Sequence, residues 1–171
     1  MGLTTYVYVS DALNNQVDEF SYDGSSFTAV NQWSVGANSV SFNIPSGLAV
    51  DGSGDLYVVD SGHQQIQMYN GSAWSIFAST DNSTNVSDVF GLGIDTAGNV
   101  YACDIGNSVV QEFSTPSGGF EAALKGGSGN AVFASPDGIA FMSSPANIIV
   151  SDYSNGSGTP YGSGSLVELS P

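Results

Sequence analysis

Short apolar runs along the chain alternate with polar, glycine-rich breaks, and the runs recur in a fixed order. Pro45-Ser46-Gly47-Leu48-Ala49-Val50-Asp51 leads through Gly52-Ser53-Gly54 to Asp55-Leu56-Tyr57-Val58-Val59-Asp60. Phe90-Gly91-Leu92-Gly93-Ile94-Asp95 leads through Thr96-Ala97-Gly98 to Asn99-Val100-Tyr101-Ala102-Cys103-Asp104. Pro136-Asp137-Gly138-Ile139-Ala140-Phe141 leads to Asn147-Ile148-Ile149-Val150-Ser151-Asp152, and Thr5-Tyr6-Val7-Tyr8-Val9-Ser10-Asp11 opens a further copy part-way in. The run-ending aspartates Asp11, Asp60, Asp104 and Asp152 lie 49, 44 and 48 residues apart. Three residues after each stands Asn14, His63, Asn107 or Asn155. Internal repetition of this kind decides the architecture before any single residue does.

Each copy continues with another short run: Gln16–Phe20, Gln65–Tyr69, Val109–Phe113 and Leu166–Leu169. Three copies add one more, at Phe27–Trp33, Trp74–Phe77 and Phe120–Leu124. Gly47-Leu48-Ala49-Val50 and its relatives are small and apolar throughout, as expected of a strand packed on both faces near an axis. The following run, rich in β-branched and aromatic residues, suits a half-buried pleated surface. Asp followed by Asn or Gly suits a tight turn, because Asp bonds backbone amides and Asn tolerates the left-handed conformation. No helical period of 3.6 stands out. The pattern predicts an all-β chain, a β-propeller of about four blades with up to four strands each. It is one domain over 1–171, with copies at about 1–44, 45–89, 90–135 and 136–171.

These motifs resemble the NHL repeat of β-propellers, most clearly in the second copy: Pro-x-Gly-Leu-Ala-Val-Asp, Gly-Asp-Leu-Tyr-Val-Val-Asp-Ser-Gly-His, then Ile-Gln-Met-Tyr. Gluconolactonase-like propellers are similar at this level. NHL repeats often carry a basic residue just after the Asn-His of the turn, and here Gln16, Gln65 and Ser108 stand there. The resemblance therefore carries no expectation of the RNA binding shown by some NHL propellers. It also implies no site: the lactonase-like enzymes bind a metal through Glu, Asn and Asp in the channel, and those positions find no residue-by-residue match here.

Strand counting gives fourteen, with the first copy lacking its innermost strand and the fourth its outermost. Two readings stay open. In one, the copies close as a small irregular ring; in the other, unpaired strand edges are completed by neighbouring copies of the chain. The loop Asn155–Gly164 is a plausible surface contact by composition.

Charge narrows the partners. Sixteen Asp and Glu face one basic residue, Lys125, for a formal net charge of −15. Phosphate contacts need Lys and Arg, so nucleic acid is close to excluded as a partner and anionic membrane surfaces are disfavoured. No run approaches the ~18 apolar residues of a membrane-spanning helix, and no membrane insertion is expected. The N-terminal residues lack a signal-peptide pattern, so an extracellular setting requires a signal already removed or another export route.

Chemistry is thinly supplied. His63, the only histidine, and Cys103, the only cysteine, read as a turn residue and a buried small hydrophobe. They do not make a zinc set. The sequence calls for no cofactor; its carboxylates could hold Ca2+, a hard cation that takes oxygen ligands, with Asp51-Gly52-Ser53-Gly54-Asp55 the densest candidate. That segment lacks the glycine and glutamate of an EF-hand and reads first as a turn. Asp11, Asp60, Asp104 and Asp152 read as structural because they recur. Glu19, Glu112 and Glu168 occupy one equivalent position and read as a solvated stripe. Asn70, Asn82, Asn85 and Asn155 head N-glycosylation sequons in turns or loops, making glycans possible partners. No catalytic residue is assigned. The reading leans away from an enzyme, towards an extracellular structural or binding module that assembles with itself. Two alternatives are a small gluconolactonase-like hydrolase using a divalent cation, and a carbohydrate-binding propeller with Trp33, Trp74 and tyrosines as platforms. Scarce Lys and Arg would also leave trypsin-like proteases little to cut.

Overall fold

A computed structural model describes residues 4–79, 86–115, 118–124, 133–142, 148–153 and, as backbone, 164–169. Within them are fourteen strands in four antiparallel sheets. Sheet 1 holds β1 (Thr5–Asp11), β2 (Gln16–Tyr22) and β3 (Phe27–Trp33). Sheet 2 holds β4 (Pro45–Val50), β5 (Leu56–Asp60), β6 (Gln65–Tyr69) and β7 (Trp74–Ser79). Sheet 3 repeats this with β8 (Val89–Ile94), β9 (Val100–Asp104), β10 (Val109–Ser114) and β11 (Gly119–Leu124). Sheet 4 holds β12 (Pro136–Phe141), β13 (Ile148–Tyr153) and β14 (Gly164–Leu169). In every sheet neighbouring strands are neighbours in sequence. The fold is an all-β, propeller-type stack of blade-like sheets, three or four strands each.

The sheets stack face to face in chain order. The forward face of each meets the rear face of the next, and each junction has its own apolar core. Tyr8, Val17 and Trp33 of sheet 1 meet Leu48, Leu56, Val58, Tyr69 and Trp74 of sheet 2. Tyr57, Val59 and Ile66 meet Leu92, Val100, Ala102 and Phe113. Tyr101, Cys103 and Val110 meet Ile139, Ile148 and Val150. One aromatic contact at least crosses every junction: Trp33–Tyr69 at 5.0 Å between centroids, Phe77–Phe113 at 6.0 Å and Tyr101–Phe141 at 5.0 Å. Burying each such side chain contributes about 1.5–3 kcal/mol.

Burial within a blade reverses the sequence expectation. The second strand of each complete sheet is the one buried on both faces: every residue of β5 and β9 is buried. The small-residue strands β4 and β12 are half-exposed, with Val50 and Ala140 open to solvent. Their small residues serve a different need. β4 packs beside β8, and β8 beside β12, backbone against backbone. A Cβ on Gly47 would lie 2.1 Å from the Phe90 carbonyl oxygen, and one on Gly91 would lie 2.2 Å from that of Asp137. Glycine is required there by contact between strands of successive blades.

β1 lies beside β4 as β5 lies beside β8 and β9 beside β12. It is therefore the second strand of its blade, and sheet 1 has no innermost strand among the described residues. No strand of sheet 4 packs on a strand of sheet 1 as successive sheets do elsewhere among those residues.

Candidate functional site

Among the described residues, the recurring aspartates build the most elaborate polar sites. Asp60 ends β5 with no exposure at all. Its Oδ1 accepts the Asn43 N–H at 2.8 Å, pinning the chain that leads into β4. Its Oδ2 takes Gln67 Nε2 at 2.7 Å, Gln65 Nε2 at 3.0 Å and His63 Nδ1 at 3.0 Å. Asp104 repeats the arrangement with the Ser87 N–H, the Asn107 N–H and side-chain amide, and Gln111. Asp152 takes the Ala134 and Ser135 N–H groups at 3.0 and 2.7 Å. In sheet 1, Asp11 holds, among the described residues, Asn14 through its N–H and its amide. These carboxylates are latches joining strand end, turn and incoming chain, and the donors compensate burial of the charge.

His63 fits this scheme. It is at the turn position of Asn14 and Asn107, and its ring takes the place of their amides on the aspartate. A Ser-His-Asp relay needs a serine on the other ring nitrogen. The nearby hydroxyls of Ser46 and Ser61 instead bond each other at 2.8 Å, and Ser61 donates to the Val89 carbonyl. The left-handed residue of these turns is one position later than the Asn: Asn15, Gln64 and Ser108, with φ near 50°.

The Asp51–Asp55 segment is a turn whose carboxylate is already engaged. Asp51 Oδ1 accepts the Ser53 and Asp55 N–H groups at 2.8 and 2.9 Å, and Oδ2 accepts Tyr57 Oη at 3.4 Å. Asp95 makes the same turn with Ala97, Asn99 and Tyr101. Asn99 in the place of Asp55 shows that the geometry does not require a second carboxylate. Burial and the nearby Asp51 charge hold the Asp55 carboxyl above its ordinary value. Among the described residues no three His, Cys, Asp or Glu side chains converge as a metal set.

Glu19 and Glu112 are not part of a solvated stripe, and the side chain of Glu168 lies outside the described residues. Glu19 is buried and accepts Tyr8 Oη at 3.0 Å as well as the Asn31 amide. Glu112 accepts Tyr101 Oη at 2.9 Å. Both pairs sit directly across adjacent strands, Tyr8 opposite Glu19 and Tyr101 opposite Glu112, a proximity that sequence spacing hides. Burial, then the glutamate, pushes the Tyr8 phenol up to about 12 and the Tyr101 phenol higher still. Burial also raises the Cys103 thiol to about 12, which leaves it an inert part of a junction core.

Trp33 and Trp74 stand 5.7 Å apart, edge to face, in the sheet 1–sheet 2 core, with Tyr69 and Phe42 around them. They pack blades together. Asn70 is exposed in the β6–β7 turn, where its Oδ1 accepts the Ser72 and Ala73 N–H groups. Asn82, Asn85, Asn155 and most of the Asn155–Gly164 loop lie outside the described residues.

Sequence reading missed one recurring element. Phe42, Val86 and Phe133 are almost wholly buried, and each precedes the residue whose N–H is held by the blade's aspartate. The available signal was an apolar residue three positions before Pro45, Val89 and Pro136. Plug, latch and three strands thus form one unit from Phe42 to Tyr69. Residues 42–69 match the NHL repeat.

No curated protein sequence matches the chain. Among solved structures, a gluconolactonase from Xanthomonas campestris aligns with TM-score 0.58 at 14% identity, over 74% of this chain and 44% of its own. A luciferin-regenerating enzyme aligns with TM-score 0.62 at 12% identity, over 98% and 62%. The calcium-binding protein regucalcin from Agrobacterium tumefaciens aligns with TM-score 0.59 at 12% identity, over 96% and 59%. The NHL-like chain thus shares their fold and spans less than two thirds of each neighbour's length.

Proposed function

We propose that this NHL-like propeller chain is a non-catalytic, extracellular structural module that acts by assembling with further copies of itself. The observation that carries the reading is the difference in strand number between the outer and the inner sheets. Sheets 1 and 4 have three strands where sheets 2 and 3 have four, so β1 and β14 each present an unpaired backbone edge among the described residues. The polar residues that repeat along the chain support the non-catalytic half, because each serves as a latch or turn in more than one blade. Near absence of Lys and Arg suits a protease-exposed setting. Sedimentation velocity of the 171-residue chain, from low micromolar to millimolar concentration, tests the reading. Growth of large species with concentration is expected, and a monomer throughout refutes it.

A second reading, a lactone hydrolase holding a divalent cation, draws on the neighbours named gluconolactonase and calcium-binding regucalcin. A thermal shift with Ca2+ and with EDTA separates the two. Stabilisation by Ca2+ together with lactone turnover favours the enzyme; an unchanged transition favours the structural module.

A further inference from the structure

We infer that copies of this chain join head to tail by stacking the forward face of sheet 4 on the rear face of sheet 1 of a second copy. This rests on the assembly reading and names the surfaces that perform it. The chain shows three times what covers a rear face. Val58, Ala102 and Val150 occupy one equivalent position in sheets 2, 3 and 4, and each has no exposure, sealed by the forward face of the preceding sheet. Val9 is their counterpart in sheet 1 and is 43% exposed. Around it the rear face continues with Val7, Phe20, Ala29 and Val30, and Asp18, paired with Gln32, stands beside Val9 on the same face, where an open groove of about 450 Å3 runs between them. Phe20 stands where Tyr69 and Phe113 pack in the other blades.

The forward face of sheet 4 is the matching half. Ala140, opposite Ile149, and Gly138, opposite Ser151, line a shallow hollow on it, and exposed Tyr153 extends it. Ile149 is the counterpart of Tyr57 and Tyr101, which fill the second and third junctions. The two open faces are therefore versions of the surfaces that already pair inside the chain. The contact is heterologous, so one junction leaves a free face at each end and growth continues into a ring or filament. Three strands of about six residues span roughly 15 by 20 Å, a small contact by the standards of stable complexes. Assembly is accordingly reversible and concentration-dependent. Copies of net charge −15 repel, so shortening the Debye length from about 30 Å at about 0.01 M salt to about 3 Å at about 1 M strengthens it.

The test uses one variant per face, Val9→Glu on the rear face and Ala140→Glu on the forward face, both at exposed positions. Circular dichroism checks that each remains folded; Val30→Glu and Tyr153→Glu replace any variant that does not. Sedimentation velocity should show each variant alone held to monomer, with association weakened at least about tenfold, about 1.4 kcal/mol. An equimolar mixture should give a one-to-one dimer and nothing larger, because one intact junction remains. Unmutated chain that stays monomeric overturns both this inference and the assembly reading. Assembly that persists in both variants overturns the face-to-face junction alone and leaves completion through strand edges.

Discussion

Gly47→Ala tests the close approach between blades most directly. The added Cβ would stand 2.1 Å from the Phe90 carbonyl oxygen and 3.0 Å from the Leu92 nitrogen, both backbone atoms that no rotamer change can move. Ordinary contact begins near 3.4 Å, so β4 and β8 must separate by about 1 Å. A gap of that size forfeits a quarter to a half of each dispersion well along the contact, and overpacking of this kind costs about 1–3 kcal/mol. The junction below contains fully buried Tyr57, Val59 and Val100, which puts the expected loss at about 3 kcal/mol. For a chain of this size that lowers the melting temperature by roughly 6–12 °C. Gly52→Ala is the control: nothing lies within 4 Å of its Cβ and its φ is ordinary, so its effect stays within about 1 kcal/mol, on the stabilising side. Urea and thermal unfolding of both variants, followed by circular dichroism, decide the matter. If Gly47→Ala unfolds within about 0.5 kcal/mol of the parent, close backbone approach does not set the spacing of the blades.

Asp104→Ala should cost about 3 kcal/mol or more by urea unfolding, because it strips a carboxylate from the Ser87, Asn107 and Gln111 donors; Asp11→Ala, which loses only Asn14, should cost far less. Gln64→Gly should stabilise by about 0.5–1 kcal/mol, since the left-handed conformation there is unfavourable for a side chain. Burial raises Cys103 from 9.0 to about 12 and Tyr57 from 10.0 to about 12. The folded state thus favours the protonated forms, and their stabilisation is complete below pH 9 and lost as pH rises towards 12. Alkaline melting curves should show this decline, and Tyr57→Phe should flatten it. Asn70, exposed in its turn, should carry a glycan when the chain is secreted from a eukaryotic cell, visible as added intact mass that Asn70→Gln removes.

Much of the fold was written locally. Repeated short apolar runs and turn residues placed the strands, and Thr5–Asp11, Phe27–Trp33 and Gln65–Tyr69 have the predicted bounds. Repetition marked Asp11, Asp60, Asp104 and Asp152 as one equivalent position before any geometry was known. The partners of those aspartates were not legible, because Gln67, Gln111 and the Asn43, Ser87 and Ala134 amides reach them only through strand pairing and loop return. The same holds for Tyr8–Glu19, neighbours across a ladder and eleven residues apart in sequence.

Strand order and repeat period follow from the amino-acid sequence alone, since both depend on spacings within one copy. Which strand is buried does not. Composition marked Gly47-Leu48-Ala49-Val50 as the doubly covered strand, yet Leu56–Asp60 holds that place. Small residues report how closely backbones approach, while burial depends on which sheets lie on either side. The open faces of sheets 1 and 4 have the same origin. Val9 and Val58 are the same residue in the same motif, and only the presence of a preceding sheet separates a sealed side chain from an exposed one.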